Sequence, residues 1–230
     1  MKWNAWLFDL LFPEKCILCG CVLEKDAQDL CKTCRIEAPE CGLSKEKLPL
    51  LDSWTALWHY QDQVRRSILR YKFYGKRSYA AAYARLLGMK LMKEDRLNVD
   101  LITWIPVSAK RLKKRGFDQC RLLAEALSAE VELPVAPLLK KTVDNQPQSR
   151  ITGYAHRKAN VLGAYTVINV RQIAGRRILL IDDILTTGAT AGECARELLT
   201  AGAEEVHLAV IAAANQQKRP IGEAYEIVFQ

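Results

Sequence analysis

No apolar run in this chain of 230 residues reaches the length of about 20 that a membrane-spanning helix requires. No Gly-Lys-Ser/Thr step follows any glycine-bearing turn, which excludes a P-loop. Repeats and low-complexity tracts are absent, which excludes solenoid and fibrous architectures. Histidine is scarce: His59, His156 and His207 all stand far from the cysteine-rich start. The opening stretch MKWNAWLFDLLFPEKC is apolar, but Asp9 interrupts it and Pro13-Glu14-Lys15 closes it. A signal segment wants a clean apolar core and a small-residue cleavage site. The stretch reads better as a short amphipathic helix packed on the body, with a signal segment as its rival, and this places the protein in the cytoplasm.

Half of the residues are hydrophobic, enough for a real core. Lysine and arginine outnumber the acids by 34 to 26, a net charge of +8 that favours anionic partners without choosing among phosphates, nucleic acid and membrane surfaces. Six of the eight cysteines crowd the first 41 residues. CILC and CKTC form two C-x2-C knuckles eleven residues apart. Each knuckle turns two thiolates toward one ion, and four sulfurs close a tetrahedral structural zinc site. Cys16, Cys19, Cys31 and Cys34 are the expected ligands. Disulfides are disfavoured in a cytoplasmic chain, a redox pair needs only one knuckle, and an iron–sulfur cluster is the remaining rival. Cys21 and Cys41 are left over. Cys120 and Cys194 fall at helical core spacing.

From about Leu51 the texture becomes α/β. WTALWHY, VDLITWIPV, GAYTVI, RRILLI and EVHLAVIAAA read as strands. Between them lie two helices broken at Gly75, a helix over FDQCRLLAEALSAE and another over GATAGECARELLTAGA that Gly202 ends. Continuously apolar strands alternating with helices predict a parallel sheet covered on both faces. The expected layout is an N-terminal helix and four-cysteine zinc module over 1–48, an α/β body with its own core over 51–215 and a tail over 216–230.

Asp182 and Asp183 stand at a strand's carboxyl end, where open α/β sheets bind ligands. Two adjacent carboxylates repel each other, so the arrangement needs a use. Just beyond them, Thr186, Thr187, Gly188, Ala189 and Thr190 turn into a helix. Small residues let backbone N–H groups approach an anion, and the helix N-terminus adds partial positive charge. A sugar phosphate suits the pair of features: vicinal hydroxyls donate to the acids while the phosphate enters the turn. The hydroxyls and a bound Mg²⁺ would offset the repulsion.

ILLIDDILTTGAT closely resembles the phosphoribosyl pyrophosphate (PRPP) signature of the type I phosphoribosyltransferases. IPVSAKRLKKRGFDQCRLLAEAL, NQPQSRITGYAHRKANV and the cysteine knuckles resemble the ComF family of bacterial late-competence proteins. That family joins a zinc ribbon to a type I phosphoribosyltransferase-like domain. The resemblance implies that Asp182 and Asp183 are the catalytic pair and contact ribose, and that residues 186–190 hold the 5′-phosphate. It also implies that Ser108, Ala109, Lys110 and Arg111 form a pyrophosphate loop. PRPP with Mg²⁺, single-stranded DNA and other competence proteins are the implied partners, in DNA uptake for natural transformation. The chain departs from the family where Asp118 replaces the usual Asn of an RGFNQ block, and where Cys41 alone remains of a second cysteine pair.

A response-regulator receiver also pairs two acids at a strand end, but only 47 residues follow Asp183, too few for the later strands it needs. A purely structural strand–turn–helix is a further rival, and a conventional nucleotide-salvage enzyme is the alternative function. Lys113, Lys114 and Arg115, with Arg70, Lys72 and Lys76, are candidate nucleic-acid contacts. The second group interleaves with Tyr71, Phe73, Tyr74 and Tyr79, and single strands need both backbone charge and stacking surfaces. A solvated face and ordinary helix packing are the competing explanations.

Overall fold

The computed structural model describes residues 13–43, 47–143 and 161–214. The expected N-terminal helix, the NQPQSRITGYAHRKANV block up to residue 160 and the tail from 215 lie outside them. The described chain runs α1 (Lys32–Glu37), β1 (Ser53–His59), α2 (Asp62–Phe73), α3 (Tyr79–Lys93), β2 (Leu101–Trp104), α4 (Ala109–Arg115) and α5 (Gln119–Val131). It continues through β3 (Leu139–Lys141), β4 (Tyr165–Val167), β5 (Arg177–Leu185), α6 (Ala189–Thr200) and β6 (Glu205–Ala213).

Strands β1, β6, β5 and β2 form one parallel sheet in that order. Strand side chains alternate between faces. Leu179 and Ile181 therefore enter one core with α2, α3 and α5, and Ile178 and Leu180 enter a second with α6. On the first side, Val64, Ile68 and Tyr71 make the buried stripe of α2, and Ala80, Tyr83, Ala84, Leu87 and Leu91 make that of α3. Gly88 lets α3 approach α5: a Cβ there would stand 3.2 Å from Val131 Cγ1. The second core is roofed by a small antiparallel pair, β3 and β4, which carry Leu139 and Tyr165. GAYTVI thus lies outside the main sheet, as half of this roof.

The cysteine knuckles sit on the first core. Cys16, Ile17, Leu18, Leu30 and Cys34 are buried in the same cluster as Ile68, Tyr71 and Tyr83. Arg70 donates to the carbonyls of Ile17 (2.9 Å) and Leu18 (2.7 Å). Arg85 grips Asp29 with two N–H groups, at 3.0 and 2.5 Å. Among the described residues, no helix is long and apolar enough to cross a membrane.

Candidate functional site

The strand expected to stop before the acids runs through them. β5 continues to Leu185 because β6 keeps pairing with it, Asp182 opposite Val210 and Leu185 opposite Ala213. On its other flank, β2 pairs only as far as Trp104 opposite Ile181. Ile105 still donates to the Ile181 carbonyl at 2.9 Å, and Pro106 after it has no N–H to extend the ladder. Both acids therefore lie on a stretch of β5 that has lost one neighbour. There a cavity of about 830 Å³ opens, lined by both acids and by Thr186 and Thr190.

Asp183 is buried, and both its oxygens are engaged. Lys72 Nζ donates to Oδ1 at 2.7 Å and Gln119 Nε2 to Oδ2 at 2.7 Å. Asp182 Oδ1 accepts the Asp183 N–H at 2.8 Å and the Cys120 thiol at 3.3 Å. Burial, then the charge of Asp183, raises Asp182 to about 7. Burial also pushes the Cys120 thiol up, so it keeps the proton it donates. Oxygens of both acids and the Cys120 sulfur lie within 4.8 Å of one another.

Asp118 gains a clear role. One oxygen caps α5, accepting the N–H groups of Cys120 (3.0 Å) and Arg121 (3.1 Å). The other accepts the Val107 N–H at 3.1 Å, tying the β2–α4 connection to the start of α5. An asparagine has one acceptor oxygen for these duties, whereas the carboxylate has two.

The loop expected over Ser108–Arg111 is instead a capped helical turn. Ser108 is the N-cap, accepting the Arg111 N–H at 3.3 Å, and α4 carries the rest. Helical spacing sorts the basic run by face. Arg111, Lys114 and Arg115 line the cavity, whereas Lys110 and Lys113 are exposed and do not line it. Arg115 donates to Gln119 Oε1 at 2.7 Å and stacks over the Phe73 ring at 4.9 Å. The small-residue turn over 186–190 leads into α6: Gly188 holds φ +76° at its N-cap, against Leu48, and Thr187 Oγ1 accepts the Ala189 N–H at 3.4 Å.

The other basic group divides as well. Arg70 is spent on the knuckle carbonyls and Lys72 on Asp183, while Lys76 is exposed. Tyr71 and Tyr79 are core residues, and Phe73 and Tyr74 are exposed. Sequence reasoning assigned no part to Gln119, Cys120, Lys141 or Tyr165, all of which line the cavity. Only the polar Gln119 at the head of an apolar helix face gave a signal.

The sulfurs of Cys16, Cys19, Cys31 and Cys34 lie within 4.8 Å of one another. Ligands 2.3 Å from a shared zinc stand about 3.8 Å apart at the corners of a tetrahedron. Cys19 and Cys31 are 3.7 Å apart, and the Cys34 N–H donates to Cys31 Sγ at 3.4 Å. The donor set fits a tetrahedral thiophilic ion such as zinc.

Sheet, roof and acid-bearing turn make an α/β protein that also carries a cysteine-knuckle module. A family profile, the phosphoribosyl transferase domain, matches residues 118–229. Competence protein F of Haemophilus influenzae is 27% identical over 198 residues, covering 82% of this chain and 86% of that protein. Competence protein ComFC of Bacillus subtilis is 28% identical over 214 residues, covering 88% and 85%. DNA utilization protein YhgH of Escherichia coli K12 is 27% identical over 207 residues, covering 84% and 87%. Residues 118–229 thus match the phosphoribosyl transferase domain, and the chain is similar over most of its length to these two competence proteins and the DNA utilization protein.

Proposed function

We propose that the cavity binds PRPP with Mg²⁺ and that the protein handles single-stranded DNA in the cytoplasm during uptake for natural transformation. One observation carries the phosphosugar reading: two carboxylates, a small-residue turn at a helix N-terminus and the cations Arg111, Lys114 and Arg115 face one cavity. Asp182 accepts from a ribose hydroxyl, and Asp183 does so once Lys72 or Gln119 yields an oxygen. The turn over 186–190 receives the 5′-phosphate, and the α4 cations receive the pyrophosphate. Mg²⁺, a hard cation suited to these carboxylates, would neutralise charge on the pyrophosphate. In a transfer, an acceptor nucleophile would bond to the anomeric carbon as the bond from that carbon to pyrophosphate breaks, and the leaving charge would fall toward Arg111 and Lys114.

The DNA part rests on the names of the relatives, two called competence proteins and one a DNA utilization protein, and on the net charge of +8. Other competence proteins are the natural companions of such a role. Structural zinc on the four thiolates completes the reading. The test is calorimetric titration with PRPP and Mg²⁺, repeated with single-stranded DNA present. Saturable PRPP binding together with DNA binding supports the proposal. PRPP binding without DNA binding returns the protein to conventional nucleotide metabolism, and no PRPP binding overturns the site.

A further inference from the structure

Five thiols gather at the knuckles. Cys21 Sγ lies 3.3 Å from Cys19 Sγ. Its backbone is fixed there: Gly20 turns the chain at φ +83°, the Cys16 N–H donates to the Cys21 carbonyl at 2.8 Å, and Lys15 bridges Val22 on the return arm.

A structural zinc closes at four ligands, with sulfurs about 3.8 Å apart. A fifth sulfur 3.3 Å from Cys19 crowds that corner, so Cys19 and Cys21 cannot both ligate beside the other three. Exposure separates the set. Cys16 and Cys34 are buried and Cys31 is half-buried, while Cys19 and Cys21 are both exposed. Three sulfurs form a fixed base, and the fourth corner, held by Cys19, opens to solvent with Cys21 beside it, just outside the set of four mutually close sulfurs.

The geometry points to Cys21 as an alternate fourth ligand that exchanges with Cys19 on the zinc. This rests on the zinc reading above. As Cys21 binds, its thiol releases a proton to water; as Cys19 leaves, its thiolate takes one up. Charge and protons balance, and the metal stays bound while its exposed corner turns over.

The experiment uses the full chain as wild type, Cys19→Ser, Cys21→Ser, the double variant and Cys31→Ser. Zinc per chain is measured after desalting and then under chelator competition. Wild type and both single variants at the exposed corner should retain one zinc, with chelator midpoints within about tenfold of each other, or ~1.4 kcal/mol. The double variant and Cys31→Ser should hold none. A Cys19→Ser chain as empty as Cys31→Ser, beside a zinc-loaded wild type, overturns the exchange. A wild type without zinc overturns the zinc reading itself, and the exchange with it. Alkylation of the zinc-loaded wild type by N-ethylmaleimide, mapped by mass spectrometry, gives a measure free of folding defects. Label divided between Cys19 and Cys21 supports exchange, and label confined to Cys21 refutes it.

Discussion

Lys72 Nζ stands 2.7 Å from Asp183 Oδ1, and both side chains are largely shielded from water. On the proposed reading, the ammonium occupies the oxygen that a metal or a ribose hydroxyl would use. Removing one partner of a buried pair leaves an uncompensated charge, at a cost of about 3–5 kcal/mol. Lys72→Met should therefore melt several degrees below wild type in EDTA, and millimolar Mg²⁺ should restore much of the loss. Thermal unfolding with and without Mg²⁺ reads this directly. A variant that melts like wild type in EDTA would show that the pair adds nothing to stability.

Asp182 gives a pH dependence of known sign. Its folded pKa of about 7 lies above the ordinary carboxylate value of 3.8. Between those values the folded chain binds more protons than the unfolded one, so the contribution of Asp182 to stability falls as pH rises. Asp182→Asn removes that cost. Near pH 8 it should raise Tm by a few degrees, at about 2–4 °C per kcal/mol for a chain of this size, and near pH 4 the gain should vanish. PRPP affinity should meanwhile fall at least about tenfold, for a lost charged hydrogen bond of ~1.5–3 kcal/mol. A Tm gain equal at both pH values would deny the raised pKa.

Zinc removal should be felt well beyond the knuckles. Ile17 and Leu18 are buried in one cluster with Ile68 and Tyr83, and Arg70 is anchored on their carbonyls. Cys31→Ser, or chelation, should lower the melting temperature of the whole chain in one transition. Calorimetry resolving a zinc-sensitive step from an unmoved main step would restore an independent body.

Salt dependence separates the exposed cations from those that line the cavity. Replacing the outward Lys113 and Lys76 with alanine removes two candidate phosphate contacts. The log–log slope of single-stranded DNA binding should flatten by about 1.4, at roughly 0.7 per contact. PRPP binding should be unaffected, since neither residue lines the cavity. Arg115→Ala should weaken both ligands, because that side chain also holds Gln119. An unchanged slope in the double variant would leave Lys113 and Lys76 as a solvated face.

The main sheet, the paired knuckles and the acid-bearing turn were legible because each depends on local pattern: apolar runs, C-x2-C spacing, and small residues after a strand. The acids' placement was harder to see, since β5 continues past them only through its register with β6, a long-range fact. The helix over Ala109–Arg115 was hidden by its charge, having no buried residue to give it an apolar period. Lys72 and Arg70 read as surface cations because nothing local reveals a partner 111 or 53 residues away. Cys120 read as packing, and it does pack, but its neighbours include Asp182.

Asp118 spans the gap between two chain segments with a single carboxylate, holding Val107 from one and Cys120 from the other. The floor beneath the α4 cations and the thiol touching Asp182 thus share one fastening. Losing that one carboxylate would free the turn before α4 and the first turn of α5 together.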